Sequence, residues 1–108
     1  MSRIGLYVKF KTQPGQRDAF VDVLLESARQ MESLSGCELY LVNTSPSEAD
    51  VVWVTEVWSS MGEHDASLNL PGAAEAIKLA LSLLAGPPER IDVVPVGGKG
   101  LIQSHAAD

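Results

Sequence analysis

The sequence predicts one α+β domain of ferredoxin-like topology, in which a four-stranded antiparallel sheet carries both helices on one face. Three observations support this prediction. Four short segments have strand-like patterns, two longer ones have helical spacing, and their order along the chain is β-α-β-β-α-β. A chain of 108 residues also fits one domain of ordinary size. We assign the domain to residues 1–97 and expect a disordered tail over residues 98–108.

The first strand and the first helix have the clearest patterns. Residues 3–11 alternate, and the apolar set on one face is Ile4, Leu6, Val8 and Phe10. Pro14 and Gly15 end the alternation, and proline is favoured in the first turn of a helix. Apolar residues then recur at three- and four-residue spacing from Phe20 onward, which predicts a helix that ends at Gly36.

The second half of the chain predicts a hairpin, a broken helix and a last strand. Residues 37–42 and 51–58 are strand-like runs joined by a polar loop. Residues 60–63 match a capping box, so a short helix should start there. The Pro-Gly break within residues 69–72 separates it from a second helical stretch. Residues 91–96 supply the last strand.

Charge and composition exclude several classes of function. A net charge of −6 offers no basic surface for phosphates, so we expect no nucleic-acid partner. The first residues contain no apolar run long enough for a signal peptide or a membrane span, so we expect a cytoplasmic protein with no membrane partner. Cys37 is the only cysteine and has no evident companion ligands, so we expect neither an internal disulfide nor a metal site.

The sheet face away from the helices is expected to be apolar. Trp58 shares one face of the third strand with Glu56 and two valines, and we place this set on the open face. Trp53 then lies on the opposite face, under the helices. A large open apolar face needs covering, and a two-fold homodimer packed sheet to sheet covers it with the fewest assumptions. We therefore expect the protein to be a homodimer.

Taken together, these features resemble the antibiotic biosynthesis monooxygenase-like family of dimeric α/β barrels. The resemblance covers nearly all of residues 3–97. It depends on Pro14 and Gly15 before a helix and on Gly-Cys-Glu-Leu-Tyr at residues 36–40. It also depends on Thr-Glu-Val-Trp at residues 55–58, a segment followed by a short helix and an Asn-Leu-Pro motif. The resemblance implies the ferredoxin-like fold, and it agrees with the topology derived from the patterns above.

The resemblance also implies a chemistry. Characterised members of the family oxidise quinols or aromatic polyketides with molecular oxygen and use neither flavin nor metal. The implied partners are a small aromatic substrate, O₂ and a second copy of the chain, and no cofactor is implied. The family also includes haem-degrading enzymes and an isomerase, so the fold alone does not decide the reaction.

One residue departs from the family pattern. Many members have a histidine nine residues after the aromatic residue of the third strand, and this sequence has Ser67 there. His64 lies one turn earlier on nearly the same face of the predicted helix. Either His64 takes the place of the family histidine, or the site is inactive.

Five residues are candidates for the site. Oxygenation without a cofactor needs a base and a dry pocket, because the electron-rich substrate supplies its own electrons to O₂. His64 is the candidate base, since histidine ionises near neutral pH, although a histidine at a capped helix start is often only a surface residue. Glu56 is the second candidate catalytic residue, expected to orient a hydroxyl or a partner side chain, and Trp58 is expected to pack on a flat substrate; alternatively, they are an ion-pair partner and a core residue. Tyr40 and Ser67 are expected to line the pocket.

Two functions follow from these candidates. The first is a cofactor-independent monooxygenase that acts on a quinol-like or polyketide aromatic. The second is a non-catalytic dimeric module of the same fold, either structural or binding a small apolar ligand, and Ser67 in place of the family histidine favours it. Haem degradation ranks third, because it needs a histidine ligand aimed at the iron and the usual position lacks one.

Overall fold

The computed structural model describes residues 3–101 and contains one four-stranded sheet with three helices. Its elements are β1 Ile4–Lys11, α1 Arg17–Met31, β2 Cys37–Thr44, β3 Val51–Trp58, α2 Met61–Ser67, α3 Ala73–Ser82 and β4 Glu89–Val93. The order β-α-β-β-α-α-β confirms the α+β ferredoxin-like prediction. The expected break in the second helix separates α2 from α3.

The sheet has the strand order β2-β3-β1-β4, and each neighbouring pair is antiparallel. In the central pair, Leu6 lies opposite Glu56, Val8 opposite Val54 and Phe10 opposite Val52. The apolar face expected for β1 is thus one continuous surface with one face of β3. Helix α1 packs on this surface, where Phe20 is fully buried against Val52 and Val54.

The face assignment of the two tryptophans was wrong. Trp58 is only 1% exposed and lies on the face covered by helices, whereas Trp53 is 37% exposed on the open face, with the Lys9 ammonium 5.7 Å from its ring centre. The reason is that β3 is apolar on both faces, so its alternation separates two sets of residues without showing which set the helices cover. The buried aromatic and aliphatic side chains of α1 select the face that carries Val52 and Val54.

The open face nevertheless carries several exposed apolar side chains. Tyr7, Leu41, Trp53 and Ile91 lie on it, and each is more than a third exposed. These four residues form the apolar surface that the dimer prediction concerns, and Trp58 is not among them.

Strand β4 differs from the prediction at both ends. It begins at Glu89, opposite Lys9, and ends at Val93, opposite Gly5. Pro95 has no N–H to donate to a neighbouring strand, so the apolar pattern that continues to Val96 does not continue the pairing. A Cβ at Gly5 would lie 2.7 Å from Cγ2 of Val93, so this close approach requires glycine.

The remaining expectations concern the tail and the membrane. The described chain ends at Leu101, so most of the tail predicted to be disordered lies outside the described residues. Between residues 3 and 101, no helix is both long enough and apolar enough to cross a bilayer.

Candidate functional site

A cavity of about 230 Å³ lies between the sheet and the helices. Its walls are mainly apolar and come from α1, α3 and the helix-covered face of the sheet. Helix α3 contributes Ala73, Ala76 and Ala80 to the wall, and none of its residues is fully buried. Because these side chains are small, the helix leaves space above the sheet that larger residues would fill. The alanines of α3 thus leave room over the sheet, and the larger Ile77 and Leu81 of the same helix complete its part of the wall.

Four of the five predicted site residues meet in the wall of this cavity. They are Tyr40 on β2, Glu56 on β3, and His64 and Ser67 on α2. Tyr40 and Glu56 are direct cross-strand neighbours, and His64 and Ser67 are one helical turn apart. The strands and the short helix therefore gather these four polar side chains in the wall of a mainly apolar cavity.

Glu56 is a partly buried carboxylate in this polar group. The indole N–H of Trp58 donates a hydrogen bond of 2.8 Å to its Oε1. Burial raises the pKa of Glu56 above its ordinary value, and this effect outweighs the hydrogen bond from Trp58 and the charges of His64 and Arg90, which lower it. Glu56 therefore holds a proton at a higher pH than a surface glutamate does.

Helix α2 determines where His64 lies. Ser60 caps the helix, and its Oγ accepts a hydrogen bond of 3.2 Å from the Glu63 N–H. The Glu63 side chain lies against Gly36, where a Cβ would collide with it. Four residues after the cap, the His64 ring packs edge-on against Trp58, with ring centres 5.5 Å apart. Its Nδ1 lies 3.0 Å from Oδ1 of Asp65.

Tyr40 and Ser67 contribute hydroxyl groups to the cavity wall. Burial and the nearby Glu56 carboxylate raise the pKa of Tyr40 far above its ordinary value, so its hydroxyl remains protonated and can donate a hydrogen bond. The Ser67 hydroxyl donates to the backbone carbonyl of His64. Ser67 thus presents a small surface to the cavity while its proton is held by its own helix.

The structure does not bring Trp58 into the cavity wall. Its ring is buried behind the site, where it contacts Glu56 through a hydrogen bond and His64 through a ring edge. Sequence reasoning also missed Ser27 and Gln30 of α1, which face the same cavity. Ser27 stands within the apolar stripe of α1, and a polar residue in such a stripe was the available signal.

Comparison with known families agrees with this geometry. Residues 3–79 match the model of the antibiotic biosynthesis monooxygenase family. The chain belongs to this family. The matched region includes β1 to β3, α2 and most of α3, and hence the four predicted site residues of the cavity wall as well as Ser27 and Gln30.

Solved structures of similar chains support the assignment. A candidate antibiotic biosynthesis monooxygenase from Chloroflexus aurantiacus is 43% identical, with a TM-score of 0.83, and the match covers 93% of this chain and 99% of that one. A second candidate of the same name, from Caulobacter crescentus, is 25% identical with a TM-score of 0.82, over 89% of this chain and 92% of that one. A Bacteroides thetaiotaomicron protein of unknown function, described as a possible oxidoreductase, shares the fold at 18% identity and a TM-score of 0.78, over 87% of this chain and 98% of that one. No curated protein sequence matches this chain.

Proposed function

We propose that this protein is a cofactor-independent monooxygenase that oxidises a small, electron-rich aromatic molecule of the quinol or polyketide type with O₂. The observation that carries the proposal is the meeting of Glu56 and His64 in the wall of a mainly apolar cavity. A positioned base and a pocket that excludes water are what a protein must add when the substrate supplies the electrons. Membership of the monooxygenase family supports the same reading.

The substrate and O₂ supply all the atoms and electrons of the proposed reaction. A ring hydroxyl transfers its proton to Nε2 of His64, and the phenolate gives one electron to O₂, which forms a substrate radical and superoxide. These combine at a ring CH carbon ortho or para to that oxygen, where the radical is delocalised, to form a C–O bond, and the peroxide takes back the proton. Loss of water then leaves a carbonyl, so one oxygen atom ends in the product and the other in water. Glu56 and the Tyr40 hydroxyl would orient the substrate during these steps.

The charge of the cavity indicates what kind of molecule binds there. Its described wall contains no lysine or arginine, and Glu56 is its one carboxylate. A ligand with a carboxylate or a phosphate would meet no cation to balance its charge. An uncharged phenol or quinol, in contrast, can donate to Glu56 and bury its rings against α1 and α3.

The proposal includes a homodimer formed through the open sheet face. Tyr7, Leu41, Trp53 and Ile91 would otherwise leave a broad apolar surface in water. The cavity lies on the opposite side of the sheet, so a sheet-to-sheet dimer would leave it accessible. Each protomer would therefore hold a site of its own.

A binding module without catalysis is the second candidate, and one observation favours it. The residue at the position of the family histidine is Ser67, whose hydroxyl is held by the His64 carbonyl and is not free to act as a base. Under this alternative the cavity binds the same uncharged aromatic class, but His64 is only part of the wall.

Oxygen uptake distinguishes the two candidates. We expect the wild-type protein, dialysed against a chelator, to consume O₂ with at least one member of a panel of hydroquinones and anthrones. His64→Ala should lower kcat by about 10²-fold or more, the usual scale for loss of a general base. Leu79→Ala, at an exposed position on α3, is the matched control and should retain full activity.

Two results would contradict the proposal. Full oxygen uptake by a folded His64→Ala protein would remove His64 from the reaction. Tight binding of a panel member with no oxygen uptake by the wild type would leave the binding module as the function.

A further inference from the structure

The proposed base has a neighbour that the proposed reaction does not use. His64 is buried, and its Nδ1 lies 3.0 Å from Oδ1 of Asp65, the next residue along α2. The Asp65 side chain is 65% exposed and does not line the cavity, so it cannot contact a substrate there. The contact instead concerns the ring of His64 itself.

A carboxylate can only accept hydrogen bonds, so Nδ1 of His64 must carry the hydrogen in this contact. A neutral imidazole has one N–H, and fixing it at Nδ1 leaves Nε2 as the nitrogen that can accept a proton. Among residues 3–101, no group hydrogen-bonds to Nε2. The second nitrogen is therefore free to meet a ligand in the cavity that His64 lines.

The other neighbours of the ring do not select a tautomer. Trp58 meets it through a ring edge, and Ser67 bonds to the His64 carbonyl. The remaining charged groups nearby are Glu56 on β3 and the pair Arg90 and Asp92 on β4. Arg90 donates to Asp92 at 2.7 and 3.2 Å, so its guanidinium is already engaged.

We propose that Asp65 is a positioning residue that holds His64 in the Nδ1–H tautomer, with Nε2 presented to the cavity as the proton acceptor. The inference rests on the proposed function for its catalytic meaning. The tautomer itself is a property of the resting protein and can be measured without turnover. In catalytic triads a carboxylate hydrogen-bonded to the histidine fixes its tautomer in the same way. Here the carboxylate belongs to the adjacent residue of the same short helix.

Nitrogen NMR of the imidazole rings tests this inference directly. The chain has two histidines, His64 and His105, so a His105→Ala background leaves one ring to observe. At about two pH units above the ordinary histidine pKa, the wild type should show Nδ1 as the protonated nitrogen and Nε2 as the bare one. Asp65→Ala should shift the population toward the Nε2–H form, and Asp65→Glu should restore part of the Nδ1–H population.

Kinetics give a second readout, and Asp22→Ala is the control. Asp22 is an exposed carboxylate on α1, so its removal changes the net charge equally and should leave both the tautomer and activity unchanged. Asp65→Ala should lower kcat by roughly tenfold or more with little change in KM, because substrate contacts are retained. An unaltered tautomer in a folded Asp65→Ala protein would overturn the inference. A shifted tautomer in a protein that consumes no O₂ would retain the positioning role and reject the proposed oxygenase.

Discussion

At the scale of single residues, the site depends on the partly buried carboxyl group of Glu56 and the buried imidazole of His64, which share Trp58 as a neighbour. Trp58 donates to Glu56 and packs against His64, so one tryptophan supports both groups of the cavity wall. The sequence indicated that Trp58 and Glu56 lie on one strand face, because residues two apart in a strand do so. It gave no sign that the indole N–H would point at the carboxylate, since that depends on side-chain rotamers set by packing.

We expect Trp58→Phe to show whether Trp58 supports Glu56 and His64 or binds the substrate directly. Phenylalanine retains a ring beside His64 but removes the N–H that holds Glu56, which should destabilise the protein by about 1–3 kcal/mol. In the proposed reaction, kcat should fall more than KM rises, because the ring does not line the cavity. Steady-state kinetics and thermal unfolding measure the two effects, with Trp53→Phe on the open face as the control. A rise in KM alone would instead indicate direct contact between Trp58 and the substrate.

Glu56 should make the protein less stable at neutral pH than an uncharged residue would. Burial raises the pKa of Glu56 in the folded state, so on raising the pH the unfolded chain loses this proton first. Stability therefore falls as the pH rises from the unfolded-state pKa, about 4.3, through the folded-state pKa, and the loss is complete above it.

Glu56→Gln removes this titration while retaining an oxygen that can accept from Trp58. The variant should thus have a higher melting temperature than the wild type at pH 7, and the difference should disappear below about pH 4. Melting curves of both proteins across this range provide the measurement. A variant that melts lower than the wild type at pH 7 would show that the charged form of Glu56 is favoured in the folded protein.

At the scale of elements, helix α2 is the part that places the proposed base. It is seven residues long, and helices this short are marginal without a cap or tertiary contacts. The capping box was a good predictor of where α2 starts, because the Ser60 bond to the Glu63 N–H is local. The other member of the capping box, the Glu63 side chain, lies against Gly36, so its position depends on tertiary packing as well as on the local motif.

Ser60→Ala should test how far the cap positions His64. Loss of an N-cap side chain usually costs about 0.5–2 kcal/mol, and here the loosened first turn should also lower kcat. The neighbouring Ser59→Ala is the matched control, because Ser59 precedes the helix without capping it. Chemical denaturation and oxygen uptake give the two values. Equal stability of the two variants would mean that tertiary contacts alone hold α2.

At the scale of the whole molecule, the order of elements could be predicted from periodicity and turns, whereas the packing of the faces could not. Each strand and helix has a local pattern, and breaks such as residues 69–72 separate them clearly. Which face of β3 the helices cover is a property of the assembled domain, because both faces carry apolar residues. The same limit explains the cavity, since the alanines of α3 look like ordinary helix residues until the helix is placed over the sheet.

The open face gives the last prediction, which concerns assembly. Leu41 on β2 and Leu79 on α3 are about equally exposed, at 50% and 52%, but only Leu41 lies on the open sheet face. If two copies pair through this face, Leu41→Lys buries a charge at the interface and should shift the protein toward monomer at micromolar concentration, whereas Leu79→Lys should remain a dimer. Light scattering resolves the two states, because the protomer mass is 11.5 kDa.

The substitutions change the net charge equally, so a difference between them reports the surface and not the charge. A wild type that is monomeric throughout this range would reject the dimer, and dissociation by Leu79→Lys alone would move the interface to the helical side of the molecule.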